Sequence, residues 1–233
     1  MSDQGGRPRR AGRASWWIAG VAGAGFVAVA LMVADQRLLA LDHAVLRTVA
    51  ARRDCEAMRA AAALSIVGAG EVSLLLTATG MALCLLRRQP RAAAALGLLY
   101  LSVPIEVGLK LWLPQPPPGV LYPVPAACEW YRPALSVATP HSFPSGYAIR
   151  VAYFAALAGA WLLGRPQVGR RRALRLGVGL GLGAAVAALV ASRTVLSWHW
   201  PSDLVGGALL GTALAALTWG AASPRVRHAA RGG

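Results

Sequence analysis

Residues 192–203 read Ser-Arg-Thr-Val-Leu-Ser-Trp-His-Trp-Pro-Ser-Asp and gather Arg193, His199 and Asp203 at the mouth of an apolar segment. A neutral imidazole can attack phosphorus, a carboxylate four residues on can hold its other ring nitrogen in one tautomer, and a guanidinium can clamp equatorial oxygens. The group suits phosphoryl transfer. Pro201 fits the first position of a helix, which puts Asp203 in the first turn and His199 just outside it, within reach of each other. The free N–H groups and positive dipole end of that helix favour a bound phosphate. Without the other residues, His199 between Trp198 and Trp200 would pass for part of an aromatic belt at a membrane interface.

Lys110, the one lysine among 24 basic residues, follows Glu106 by four positions near the end of an apolar run. Charges placed there face a polar cavity or each other. A helix can pair Glu106 with Lys110 along one face; the functional alternative is that Lys110 holds a phosphate. Pro114 to Pro118, then Pro123 and Pro125, make the next segment a stiff, extended loop. It leads to His141-Ser-Phe-Pro-Ser-Gly-Tyr147, where Pro144 suits a first helical turn, Ser145 offers a hydroxyl and Gly146 lets a ligand approach the backbone. Pro-Ser-Gly alone would start any helix equally well.

The elements that must position these residues are apolar. The chain has 233 residues, 56% of them hydrophobic, and a mean hydropathy of +0.50, enough for one domain but too apolar for an ordinary soluble one. Apolar runs at 16–34, 64–86, 92–113, 145–163, 174–192 and 201–221 each approach the roughly 20 residues that cross a bilayer as a helix. They predict an all-α bundle of six transmembrane helices, the second of which admits a division into 60–70 and 71–86. Of the 24 basic residues, 15 fall within 7–13, 87–91, 165–175 and 225–231. On six spans these segments share one side. The positive-inside rule then gives a multi-pass plasma (inner) membrane protein with both termini cytoplasmic and the loops 35–63, 114–144 and 193–200 outward.

The organisation is a basic tail over 1–15, a six-span domain over 16–221 and a second basic tail over 222–233. The run at 16–34 is longer than the roughly 7–15 residues of a secretory signal core and is read as a retained helix. Apolar residues at helical spacing within 35–63 predict an interfacial helix after the first span. The formal charge of +15 follows from topology, with some attraction to anionic head groups. Nucleic-acid binding is set aside because the arginines are spread over separate loops. Cys55 and Cys128 fall in outward loops and Cys84 inside the second span, so only the first two share an oxidising compartment. A bridge needs Cα atoms within about 7 Å. Sequence supplies no such distance, and two unpaired thiols are the preferred expectation.

Taken in order, Lys110, Pro144-Ser145-Gly146, and Ser192-Arg193 with His199 and Asp203 resemble the type 2 phosphatidic acid phosphatase (PAP2) family. Its motifs are a lysine followed after six residues by Arg-Pro, then Pro-Ser-Gly-His, then Ser-Arg, five residues, His, three residues and Asp. The third is met at every defined position, and the six-span layout runs from about Trp16 to Gly220. The resemblance implies that His199 is a nucleophile forming a phosphohistidine and Asp203 its orienting partner. It further implies that Arg193, Lys110, Ser145 and the Gly146 N–H bind the phosphate, with no metal ion or other cofactor.

Two positions depart from the motifs. Pro117 stands where the first has arginine, although Pro118 follows as expected, and Tyr147 stands where the second has histidine. In the family that histidine is implied to be the general acid. A tyrosine at position 147, with an ordinary pKa of about 10, can donate a hydrogen bond but is a poor proton source at neutral pH. Arg150 and Arg132 are candidates for the missing guanidinium and His141 for the missing acid; Arg132 and His141 would otherwise be solvated loop residues. A lipid monophosphate leaving from a diphosphate would need less acid help.

With Trp112, Trp130, Trp198 and Trp200 flanking the site, an amphiphile can reach it from the interface with its tail in lipid. The expected function is an integral membrane lipid phosphate or diphosphate phosphatase acting through a phosphohistidine at the outer face. Polyprenyl diphosphate, phosphatidic acid and phosphatidylglycerol phosphate are the candidate substrates. A phosphotransferase of the same family, or a catalytically weakened homologue that binds or transports anionic lipids, is the alternative. The complete third motif argues for the enzyme, and Tyr147 with Pro117 for the weakened homologue. Expected partners are the lipid phosphate and the bilayer.

Overall fold

The structure, a computed structural model, describes residues 7–129, 139–165, 168 and 171–222. Its helices are α1 (Arg7–Ala34), α2 (Leu39–Arg52), α3 (Cys55–Ser65), α4 (Gly70–Leu86), α5 (Pro90–Leu96), α6 (Ser102–Trp112), α7 (Gly146–Gly164), α8 (Arg172–Val195) and α9 (Pro201–Ala222). There is no strand among the described residues. Six stretches are long and apolar enough to cross a membrane: Ala14–Ala34, Cys55–Leu86, Pro90–Trp112, Gly146–Gly164, Arg172–Val195 and Pro201–Ala222. Large apolar side chains such as Leu75, Leu86, Trp112 and Leu180 are exposed on the outside, where lipid is a better solvent for them than water. The all-α, six-span architecture expected from the apolar runs is the one found.

Local chemistry sets the helix starts. Asp54 caps α3 by accepting from Ala57 N at 2.7 Å, and Ser145 caps α7 by accepting from Ala148 N at 3.3 Å. Pro90 and Pro201 occupy first helical positions, where no N–H is needed. The second span is longer than the run at 64–86 and is broken, because the chain turns through 66–69 between α3 and α4. The third span is also interrupted, by a 3₁₀ turn at Gly97–Leu101. Carbonyls at that interruption gain side-chain donors: Tyr153 Oη donates to Leu96 O at 3.3 Å and Thr218 Oγ1 to Ala95 O at 3.0 Å. After the first span lies α2, with Asp42 and Leu46 buried.

At the centre is α9, packed between α1 and α7. Its crossing with α7 is close because Gly207 and Gly211, four residues apart, carry no side chain: a Cβ on Gly207 would meet Ser145 O, and one on Gly211 would meet Ile149 O. Ile149, Tyr153, Leu210, Leu214 and Leu99 fill the adjoining core. That crossing brings the start of α7 to the start of α9, and Ser145 N donates to Asp203 O at 3.0 Å.

Cys55 and Cys128 form a disulfide, with Cα atoms 4.9 Å apart. The expectation of two unpaired thiols is thus corrected. The N-terminus of α3 and the 3₁₀ turn at Ala126–Cys128 pack together around Met58, Ala61, Ala62 and Leu196, contacts between distant segments that spacing alone does not reveal. Cys84 is free.

Candidate active site

Four parts of the fold, with Thr139 of the loop before α7, converge on one cavity of about 380 Å³. Val103, Glu106, Val107 and Lys110 come from one face of α6, as their spacing requires. Gly146, Tyr147 and Arg150 come from the first turns of α7, Ala69 and Gly70 from the break in the second span, and Arg193, Trp198 and His199 from the end of α8 and the loop beyond.

His199 Nδ1 lies 3.2 Å from Asp203 Oδ2. The same carboxylate oxygen accepts from Trp200 N at 2.9 Å, so Asp203 reaches back from the third position of α9 to its cap in the manner of a capping box. Asp203 is fully buried, and its Oδ1 has no hydrogen bond among the described residues. With the carboxylate accepting, Nδ1 carries the proton and Nε2 the lone pair. Burial pushes the His199 pKa below the ordinary imidazole value, against the opposing pull of Asp203. The neutral ring is the form able to attack.

Among the described residues, three cations lie around it. Lys110 Nζ is 2.7 Å from Glu106 Oε1, the helix pair expected from their spacing, and both groups line the cavity. Arg193 is sandwiched, its guanidinium carbon 3.7 Å from the centre of the Tyr147 ring and 4.6 Å from that of Trp198. Its Nη2 donates to Ser65 O at 3.1 Å. Arg150 Nε donates to Gly68 O at 3.2 Å, and Tyr147 Oη to Leu64 O at 3.2 Å. The break between α3 and α4 therefore leaves carbonyls that a continuous helix would have consumed, and three site side chains use them.

Several expected site residues are placed differently from one another. Gly146 lines the cavity, whereas Ser145 is fully buried with its hydroxyl on Ala148 N. Tyr147 reaches the cavity with its ring, but its hydroxyl is held by Leu64 O. His141 Nδ1 bonds Lys110 O at 3.0 Å and is not among the cavity-lining residues. Arg132 and Trp130 lie outside the described residues. Among the described residues, no group of three or more His, Cys, Asp or Glu is arranged to hold a metal ion.

Sequence reading passed over the residues that frame the His199 loop. Arg53 donates to Val195 O at 2.8 Å, to Ser197 Oγ, to Tyr122 O at 3.2 Å and to Pro123 O at 3.0 Å. It thereby ties the Pro-rich loop to Ser197, which sits at φ 52°, a left-handed backbone that costs about 1–3 kcal/mol and persists because surrounding contacts such as these hold it. Asp42, fully buried, accepts from Ser202 N at 2.9 Å, from Ser202 Oγ, and from Gln115 Nε2 at 3.1 Å. Burial pushes the Asp42 pKa up, and those hydrogen bonds oppose the rise. Asp42 is the one carboxylate in α2, but Arg47 and Arg52 on the same helix let it pass for a solvated charge; nothing local marks Arg53 among so many arginines.

Fold and site together define a multi-pass helical membrane protein in which a His–Asp pair and three cations open on one cavity. The model of the PAP2 superfamily matches residues 91–227, and the chain belongs to that superfamily. Among solved structures the fold is similar to that titled "Crystal structure of the first transmembrane PAP2 type phosphatidylglycerolphosphate phosphatase from Bacillus subtilis". The two are 19% identical with a TM-score of 0.66, and the match covers 87% of this chain and 94% of that one. No curated protein matches the sequence.

Proposed function

We propose that this protein is a lipid phosphate or diphosphate phosphatase working through a phosphohistidine on His199, with its site on the outer face of the membrane and both termini in the cytoplasm. The observation that carries the reading is the His199–Asp203 pair, 3.2 Å apart, its carboxylate buried and its imidazole opening on a cavity lined by Lys110, Arg150 and Arg193. His199 Nε2 attacks phosphorus while Asp203 holds the ring and stabilises its positive charge as the bond forms. Lys110 and Arg193 take the equatorial oxygens, and Arg150 supplies the guanidinium that Pro117 cannot. The Gly146 N–H lies at the start of α7, where anions are favoured, and Ser145 holds that turn by capping it. Such preplaced donors do the work a metal would otherwise do. Water then cleaves the P–N bond.

Polyprenyl diphosphate, phosphatidic acid and phosphatidylglycerol phosphate are the substrates proposed, the last in keeping with the activity named for the Bacillus subtilis protein. The positive-inside pattern of the arginines supports the orientation. A weakened, lipid-binding homologue is the second reading, favoured by the Tyr147 hydroxyl being held on Leu64 O. A phosphotransferase would use the same phosphohistidine with another acceptor. Phosphate release by the purified protein from these three lipids separates the readings. The expected result is release that His199→Ala abolishes and EDTA leaves unchanged. No release from any lipid, with lipid still bound, would favour the second reading, and phosphate passed to an added alcohol in preference to water would favour the transferase.

A further inference from the structure

Glu106 is the one carboxyl group among the described residues lining the cavity. Its Oε1 is 2.7 Å from Lys110 Nζ, and a Cβ added to Gly146 would run into both of its carboxylate oxygens. The carboxylate therefore rests over the first residue of α7, on the seat between Lys110 and the helix N-terminus that suits a phosphate. Among the described residues, the other hydrogen-bearing groups on the cavity wall are committed elsewhere. Tyr147 gives its hydroxyl to Leu64 O, Thr139 gives its own to His141 O, and Lys110 is the counter-ion of Glu106. Arginines do not give up protons, and His199 supplies the attacking nitrogen. An alkoxide expelled from an alkyl phosphate still needs a proton.

We propose that Glu106 supplies it, an inference that rests on the phosphatase reading above. A substrate phosphate that takes Lys110 from Glu106 puts two anionic groups on one seat, and such a pair holds a proton between them. As the bond from His199 Nε2 to phosphorus forms, the P–O bond breaks. Its electron pair goes to the leaving oxygen, which takes the Glu106 proton and leaves a carboxylate behind. In the second half that carboxylate takes a proton from the attacking water, the P–N bond breaks with its pair returning to the imidazole, and inorganic phosphate departs. Glu106 ends protonated, as it began.

The test compares full-length protein in detergent on p-nitrophenyl phosphate, whose leaving group needs little acid help, and on a short-chain phosphatidic acid, whose leaving group needs much. In Glu106→Gln the ratio of kcat/KM on the nitrophenyl ester to kcat/KM on the lipid, which reports the step that expels the alcohol and not the later water attack common to both, should rise by on the order of 100-fold relative to wild type. Glu106→Asp, whose shorter carboxyl sits farther from the leaving oxygen, should move the same ratio in the same direction by less. It serves alone if the glutamine variant does not fold. Equal loss of kcat/KM on both esters would mean a structural role, and equal gain would mean that Glu106 merely occupies Lys110; either overturns the assignment. A folded wild type that hydrolyses neither ester overturns the acid role, and one that also leaves polyprenyl diphosphate intact overturns the phosphatase reading itself.

Discussion

Asp203 does two jobs with one oxygen, accepting from His199 Nδ1 at 3.2 Å and from Trp200 N at 2.9 Å. Asp203→Asn can keep the cap while presenting the wrong hydrogen-bond partner to the imidazole, so kcat should fall on the order of 10³-fold or more with little change in Tm. The pH dependence follows from His199. Its folded pKa lies below the ordinary 6.5 because the ring is buried. The neutral nucleophile should therefore survive as pH drops through 6.5, and the acid limb of kcat/KM should appear only below that value. Stability has the same sign: the unfolded chain binds the proton first, so stability falls as pH drops from the unfolded pKa towards the folded one. A limb at or above 6.5 would contradict this environment for His199. At this scale much was legible, since Lys110, Gly146, Arg150, Arg193 and His199 all reach the cavity. The direction of the Tyr147 hydroxyl was not, because it depends on a carbonyl freed by a helix break 83 residues away.

Helix ends and crossings, more than helix interiors, place the site. Gly211 lets α9 lie against the Ile149 carbonyl of α7, whereas Gly177 on α8 has open space where a Cβ would go. Gly211→Ala should therefore cost about 1–3 kcal/mol of stability by overpacking, and lower both Tm in detergent and kcat. Gly177→Ala, the same chemical change, should leave Tm level or slightly raised. Equal effects at the two positions would argue against the close crossing as the device that joins the α7 and α9 starts. The apolar runs located the spans because a bilayer demands length and hydropathy that few other constraints imitate. They admitted a division of the second span at 70, close to the break at 66–69, but hid the interruption at Gly97–Leu101, since broken and intact helices look equally apolar.

At the scale of the whole molecule, α2, the start of α3 and the described part of the Pro-rich loop are sewn to the His199 end of the bundle by Arg53, Asp42 and the Cys55–Cys128 bridge. The bridge closes a separation of 73 residues, for which the chain-entropy estimate is on the order of 4 kcal/mol. Cys128 packs on Leu196, near His199 in the chain, so reduction should lower Tm and slow turnover together. Unchanged turnover in fully reduced, alkylated protein would show that the site does not need the tie. Six spans and a complete third motif were readable because both are local patterns; Arg53 and Asp42 were not, because their partners come from the far end of the chain. The central claim is that phosphorus becomes bonded to His199, and the most direct test is to mix enzyme with substrate, quench under alkaline conditions that preserve phosphohistidine, and map the protein by mass spectrometry. The account predicts a phosphoryl adduct on the peptide carrying His199, absent from His199→Ala and more abundant when water attack is slowed. Steady phosphate release by a His199→Ala protein that carries no adduct would contradict it.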